Sequence, residues 1–215
     1  MALASIATLL LGAASANAAT PAPAPIPATP TDPTDWLRFR GPNGSGVAPG
    51  AQPPTSWSDT ENMLWKTPLP GPGTSSPIVV GQRVFVTCYS GYGDGSPGEG
   101  LSKLQRHLVC VNRADGRILW SSAIPAAQPE DYFGGFLTEH GYASHTPTSD
   151  GERVYVFFGK SGAAAFDLMG RKLWQTSLGT DSNEKRWGLR QQPDPLQGPR
   201  HLQCLRGRPR PRGAG

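Results

Sequence analysis

No stretch of this 215-residue chain sustains a 3.6-residue apolar period, and that absence removes the helical fold classes at the outset. No apolar run is long enough to cross a bilayer: Leu3 to Leu11 falls well short of the ~20 residues a span needs. Apolar bulk is also scarce. Only 37% of residues are hydrophobic, while Gly contributes 27 and Pro 23, so the core must be smaller than the length suggests. The common catalytic loops are missing as well. Ser161 in GKSGA lacks the final Gly and the following helix of a nucleophile elbow. The same GKS lacks the upstream Gly of a phosphate loop. GYGDGSPGEG (91–100) has the composition of a Ca²⁺ loop, but Asp94 and Glu99 do not fit EF-hand spacing, so it reads as a flexible connection.

The ends of the chain differ from its middle. Residues 1–18 form an apolar stretch closed by Ala16-Asn17-Ala18, which reads as a signal peptide although its basic leading region is missing. Residues 19–35 are a Pro/Ala/Thr tract, an extended linker that cannot join a sheet. The net charge of +4 hints at nucleic acid but resides in the tail: residues 189–215 hold six Arg and one Asp, and the rest of the chain balances to −1. No aromatic residue in that tail could stack a base, and no strand or helix period survives there. Read one base later, codons for Gln191 to Cys204 can spell SSPILYKDLVICN, the opening of a repeat seen upstream. We therefore expect residues 189–215 to be an irregular, out-of-frame tail rather than a nucleic-acid-binding element.

What the middle does contain is a repeat. SSPIVVGQRVFVTCYSG (75–91) pairs with SHTPTSDGERVYVFFGKSG (144–162), and LVCVNRADGRILWSSAI (108–124) with GAAAFDLMGRKLWQTSL (162–178). Each unit reads as a Ser/Thr-Pro turn, a β-branched strand, a second strand, a Gly turn and a strand ending in Leu-Trp. Strands are expected at 78–80, 83–89, 107–111, 153–158, 163–166 and 172–175. Trp65, Trp120 and Trp174 recur at intervals of 55 and 54 residues, above the about 40–45 of the commonest propeller repeat. Loop insertions at 91–100 and 126–140 account for the excess. One such unit cannot bury its own apolar face, so the expected fold is all-β: a partial β-propeller of about two four-stranded antiparallel blades over residues 36–188, with disordered terminal segments. An incomplete stack should be marginally stable and prone to aggregate.

AFDLMGRKLW (165–174) and CVNRADGRILW (110–120) resemble the A-x-D-x-x-T-G-x-x-x-W tryptophan-docking motif of pyrroloquinoline-quinone-like (PQQ-like) propeller repeats. The opening WLRFRGPNGSG (36–46), followed by Trp57 and LWKTPLPG (64–71), is similar to the start of exported planctomycete-type members. The likeness has departures: Asp115 and Met169 stand where Thr is usual, 167–170 is one residue short, and the first copy has Cys110 and Asn112 at the Ala and Asp positions. The resemblance implies a quinoprotein alcohol dehydrogenase-like propeller in which Trp65, Trp120 and Trp174 dock blades, with Gly116 and Gly170 as structural partners. It also implies six to eight blades in a complete ring.

The resemblance invites a quinone cofactor, but such an enzyme would hold Ca²⁺ on carboxylate and amide oxygens beside an Asp base. No Cys-Cys dipeptide of the kind often found over that cofactor exists here, and Asp131, Glu139 and Asp167 are too scattered to form a set. No catalytic, cofactor-binding or metal residue is therefore nominated. His140 and His145, with Glu139 and Tyr142 between or beside them, lack a third metal ligand and read as loop-tying side chains. Cys88 and Cys110 fall on successive strands and could pair only if they share a face. The expected function is an exported, periplasmic or extracellular, non-catalytic binding or assembly scaffold. Its partner would be an envelope protein or a small-molecule ligand, not nucleic acid, and no transmembrane helix remains after signal cleavage. The chain is also similar to the lipoprotein scaffold of outer-membrane protein assembly, though its signal lacks a lipobox cysteine. The alternative is a fragment of a PQQ-dependent dehydrogenase.

Overall fold

The computed structural model describes residues 34–95, 98–133 and 138–179. The expected signal peptide, most of the expected Pro-rich linker and the basic tail lie outside them. Eight strands form two four-stranded antiparallel sheets, each in simple sequential order. The first contains β1 (Ile78–Val80), β2 (Arg83–Ser90), β3 (Gln105–Asn112) and β4 (Ile118–Pro125). The second contains β5 (Thr148–Ser149), β6 (Arg153–Phe157), β7 (Ala163–Asp167) and β8 (Lys172–Thr176). The described residues also include two single 3₁₀ turns, Leu101–Lys103 and Gly159–Ser161. The all-β expectation holds, and the two sheets are adjacent blades of a partial propeller.

The repeat extends to details of register. β3 and β4 are in step from Gln105↔Pro125 to Cys110↔Trp120, then slip between Cys110 and Val111. β7 and β8 slip at the corresponding place, between Ala165 and Phe166. Both slips sit just before the Gly turn, where an irregularity adds twist to the outer hairpin. One expectation needs correction. The fourth strand does not end in Leu-Trp: Trp120 and Trp174 are each the third residue of β4 and β8, which run on past them. The polar residues that follow, Ser121 and Ser122 or Gln175 and Thr176, extend an outer strand.

Alternation decides which side of each strand is buried. Phe85, Leu108 and Cys110 point from the first sheet toward Val154, Val156, Ala164 and Phe166 of the second, and these form one buried cluster with Ile78. Full burial of side chains this size contributes ~1.5–3 kcal/mol each. The opposite face of the first sheet carries Cys88, Val109 and Val111, with Trp65, Val84 and Val86 packed against them. Cys88 and Cys110 thus fall on opposite faces of neighbouring strands, and both are free, buried thiols. Burial raises each to a pKa of about 11.

The leading segment crosses the seam between the blades. Trp36 exchanges two backbone hydrogen bonds with Val79 of β1, each 2.9 Å. The next carbonyl, Leu37 O, accepts from Ser149 N of β5 at 2.8 Å. Leu37 also packs against the shared core. Two successive residues therefore tie the first strands of both sheets.

Candidate functional site

Besides the Trp36–Leu37 strap, two clusters of contacts cross the interface between the sheets, beside Cys110 and at Arg106 of β3. At the outer place, Trp120 of β4 lies flat on the turn between β7 and β8. A Cβ built on Gly170 would stand 2.7 Å from the indole, so no residue with a side chain fits there without moving the ring. Gly170 also has φ +89, a left-handed conformation that only glycine adopts cheaply. The indole Nε1–H donates to Leu168 O at 3.1 Å, and the ring packs 5.8 Å from Phe85. The same arrangement occurs one blade earlier. Trp65 covers Gly116 (φ +75), where a Cβ would again meet the ring at 2.7 Å, and its Nε1–H donates to Arg113 O at 2.9 Å. Residues 64–67 are not paired into either sheet, so Trp65 makes this contact from an extended segment rather than a strand.

At the second place, Arg106 points from β3 into the interface on the same side as Leu108 and Cys110. Its Nε donates to Tyr142 O at 2.8 Å. Its Nη2 lies 2.7 Å from Glu130 Oε2, with both side chains only 3% exposed. That contact is ionic rather than a directed hydrogen bond, because the N–H does not aim at the oxygen. Ser161 Oγ donates to Pro125 O at 3.1 Å and accepts from Ala127 N at 3.0 Å, joining the end of β4 to the 3₁₀ turn of the second sheet. Lys160 Nζ reaches Asp131 Oδ1 at 2.9 Å and Pro129 O at 3.0 Å. Tyr142 closes the node: its hydroxyl donates to Asp131 O and accepts from Phe133 N, and its ring stacks on Phe133 at 4.6 Å. Burial above all pushes the Tyr142 phenol up to about 12, so it remains a donor across the physiological range.

Of the five residues expected to act together, the structure brings four into two pairs, Trp65 with Gly116 and Trp120 with Gly170. Trp174 occupies the matching place on β8, with its ring 6.2 Å from Tyr155. The other candidates have local roles. His145 packs edge-on against Phe157 at 4.8 Å, and its carbonyl accepts from Thr87 Oγ1. His140 uses its carbonyl to accept from Thr74 Oγ1. Asp94 and Glu99 cap backbone N–H groups of their own loop. Asp167 accepts from Met169 N and Arg171 N within the Gly turn, which holds its carboxyl below the usual range. Among the described residues no three His, Cys, Asp or Glu side chains converge as a metal site. Sequence reasoning missed Arg106 and Glu130. The available signal was parity: Arg106 shares the inward side of β3 with Leu108 and Cys110.

Among the described residues no helix is long and apolar enough to cross a membrane. Residues 100–200 match the family model described as outer membrane protein assembly factor BamB, a match that includes the first part of the tail expected to be out of frame. No curated protein matches the chain. Paired four-stranded sheets, matching register slips and the family match over residues 100–200 together support a PQQ-like β-propeller repeat protein.

Proposed function

We propose that this chain is part of an exported PQQ-like propeller that works as a non-catalytic binding or assembly scaffold for an envelope protein. In this reading residues 1–18 are cleaved on export, 19–35 form the linker, 36–188 form the blades and 189–215 are out of frame. Trp65, Trp120 and Trp174 are docking side chains, and Gly116 and Gly170 are the seats of the first two. The observation that carries the reading is the indole-on-glycine contact at two successive junctions, with the indole N–H bonded 48 residues ahead in each. Such a device stacks sheets into a rigid array whose connecting loops are left to meet a partner. The family model's description as an outer membrane protein assembly factor favours a protein partner over a small substrate.

The test is made on affinity-tagged protein secreted to the cell envelope. Copurification with outer-membrane β-barrel precursors, without quinone-dependent oxidation, supports the scaffold. Dye-linked alcohol or sugar oxidation that appears on adding quinone and Ca²⁺ overturns it in favour of a dehydrogenase. Failure to find the protein in the envelope at all removes the export part of the proposal.

A further inference from the structure

Each indole contact has a second donor, a hydroxyl two residues further along the chain. Two residues after Trp120, Ser122 Oγ donates to Gly170 O at 3.0 Å. Two residues after Trp65, Thr67 Oγ1 donates to Gly116 O at 2.6 Å. Extended chain makes this spacing meaningful, because residues i and i+2 lie on the same side. The indole and the hydroxyl therefore approach one Gly turn together. The indole N–H takes a carbonyl before the glycine, Arg113 or Leu168, and the hydroxyl takes the carbonyl of the glycine itself.

The geometry points to Thr67 and Ser122 as positioning residues that set the orientation of each blade on the next. Stacking of a flat ring on a glycine Cα is tolerant of rotation about the stacking axis. Two hydrogen bonds to separate carbonyls of the turn remove that freedom, and so fix the angle at which successive sheets pack. The left-handed conformation of Gly116 and Gly170 accompanies carbonyls within reach of the incoming strand. Thr176, two residues after Trp174 on β8, is exposed and takes the same place in the repeat. It is the equivalent donor for a Gly turn of a further blade, and continuity with the two junctions already formed argues for that occupant. This inference rests on the docking reading of the tryptophans but concerns different atoms, and its test separates the two.

Four variants of the chain are compared by urea unfolding: Ser122→Ala, Ser122→Thr, Thr67→Val and, as a neighbour on the exposed side of β4, Ser121→Ala. We expect Ser122→Ala and Thr67→Val to lower the folding equilibrium constant about fivefold to tenfold, the upper part of the range for a lost hydrogen bond. Ser122→Thr and Ser121→Ala should stay within about twofold of the parent. Failure of Ser122→Ala to fold, with Ser122→Thr and Ser121→Ala folding normally, supports the assignment equally. The inference is overturned if Ser122→Ala and Ser121→Ala behave alike, or if threonine fails to restore what alanine loses. A large effect of Trp120→Phe alongside a silent Ser122→Ala would leave indole docking standing and remove only the hydroxyl.

Discussion

At Gly170, as at Gly116, two constraints coincide. The backbone needs φ +89, and the space where a Cβ would stand is filled by Trp120. Gly81, in the turn between β1 and β2, has only the first: φ is +55 and a Cβ there would meet nothing within 4 Å. The comparison separates backbone strain from ring displacement. Gly81→Ala should cost about 1–2 kcal/mol, the penalty for a side chain in the left-handed region. Gly170→Ala should cost about 3 kcal/mol or more, because the indole must also lift from its seat and lose its bond to Leu168 O. Urea unfolding followed by circular dichroism measures both, and equal costs would mean that the ring has room to move. At this scale the recurrence of the tryptophans and glycines was legible, because a repeat marks a position whatever its chemistry, but which ring lies on which glycine was not. Arg106 and Glu130 were not: parity turns Arg106 inward with Leu108 and Cys110, but nothing in a local window says that a carboxylate from a distant loop will meet it there.

For the strands, what was legible followed from composition and what was not followed from pairing. β2, β6 and β7 announced themselves by β-branched or small apolar runs between Gly and Asp turns. β4 was cut short because its second half, Ser-Ser-Ala-Ile, alternates with mostly small and polar residues on a half-exposed outer strand. Register also settled the cysteines: Phe85 opposite Cys110 and Cys88 opposite His107 put the two thiols on different faces. On the Cys88 face, His107 Nε2 and Ser90 Oγ are 2.7 Å apart, and burial lowers the pKa of the imidazole. The neutral form is therefore preferred in the folded state, while the unfolded chain binds the proton near its ordinary pKa of about 6.5. Below that value the unfolded state holds more protons, so the sheet loses stability as pH falls from about 6.5 through the lowered folded value. We expect the urea midpoint of the parent to drop between pH 7.5 and 5 by more than that of His107→Gln. Identical slopes would mean that other groups carry the pH dependence.

Among the described residues the two sheets share one interface, so the contacts that cross it matter more than any one strand. The shared core of Phe85, Leu108, Val154, Val156 and Phe166 supplies apolar burial, but burial is non-directional and does not fix how sheets are set. The Trp120 contact holds one part of the seam, and the Arg106 node holds another by joining β3, the connection after β4 and the 3₁₀ turn of the second sheet. The propeller class was legible at this scale because four short strands per repeat leave few alternatives; the polar node was not, because it is assembled from four separate stretches of chain. Its energetics are asymmetric. A buried ion pair is worth little against an apolar replacement of similar volume, yet removing one partner strands the other charge in the interior. Arg106→Met should therefore destabilise by about 3–5 kcal/mol, because Glu130 would remain buried without its cation. Adding Glu130→Leu to Arg106→Met should recover most of the loss, provided that Tyr142 O and Asp131 N find other partners. If the node sets the blade angle, the recovered double variant will regain its urea midpoint, but amides of β6 and β7 will exchange faster than in the parent. Full stability with parental exchange rates would reduce the pair to a passive filler of the seam.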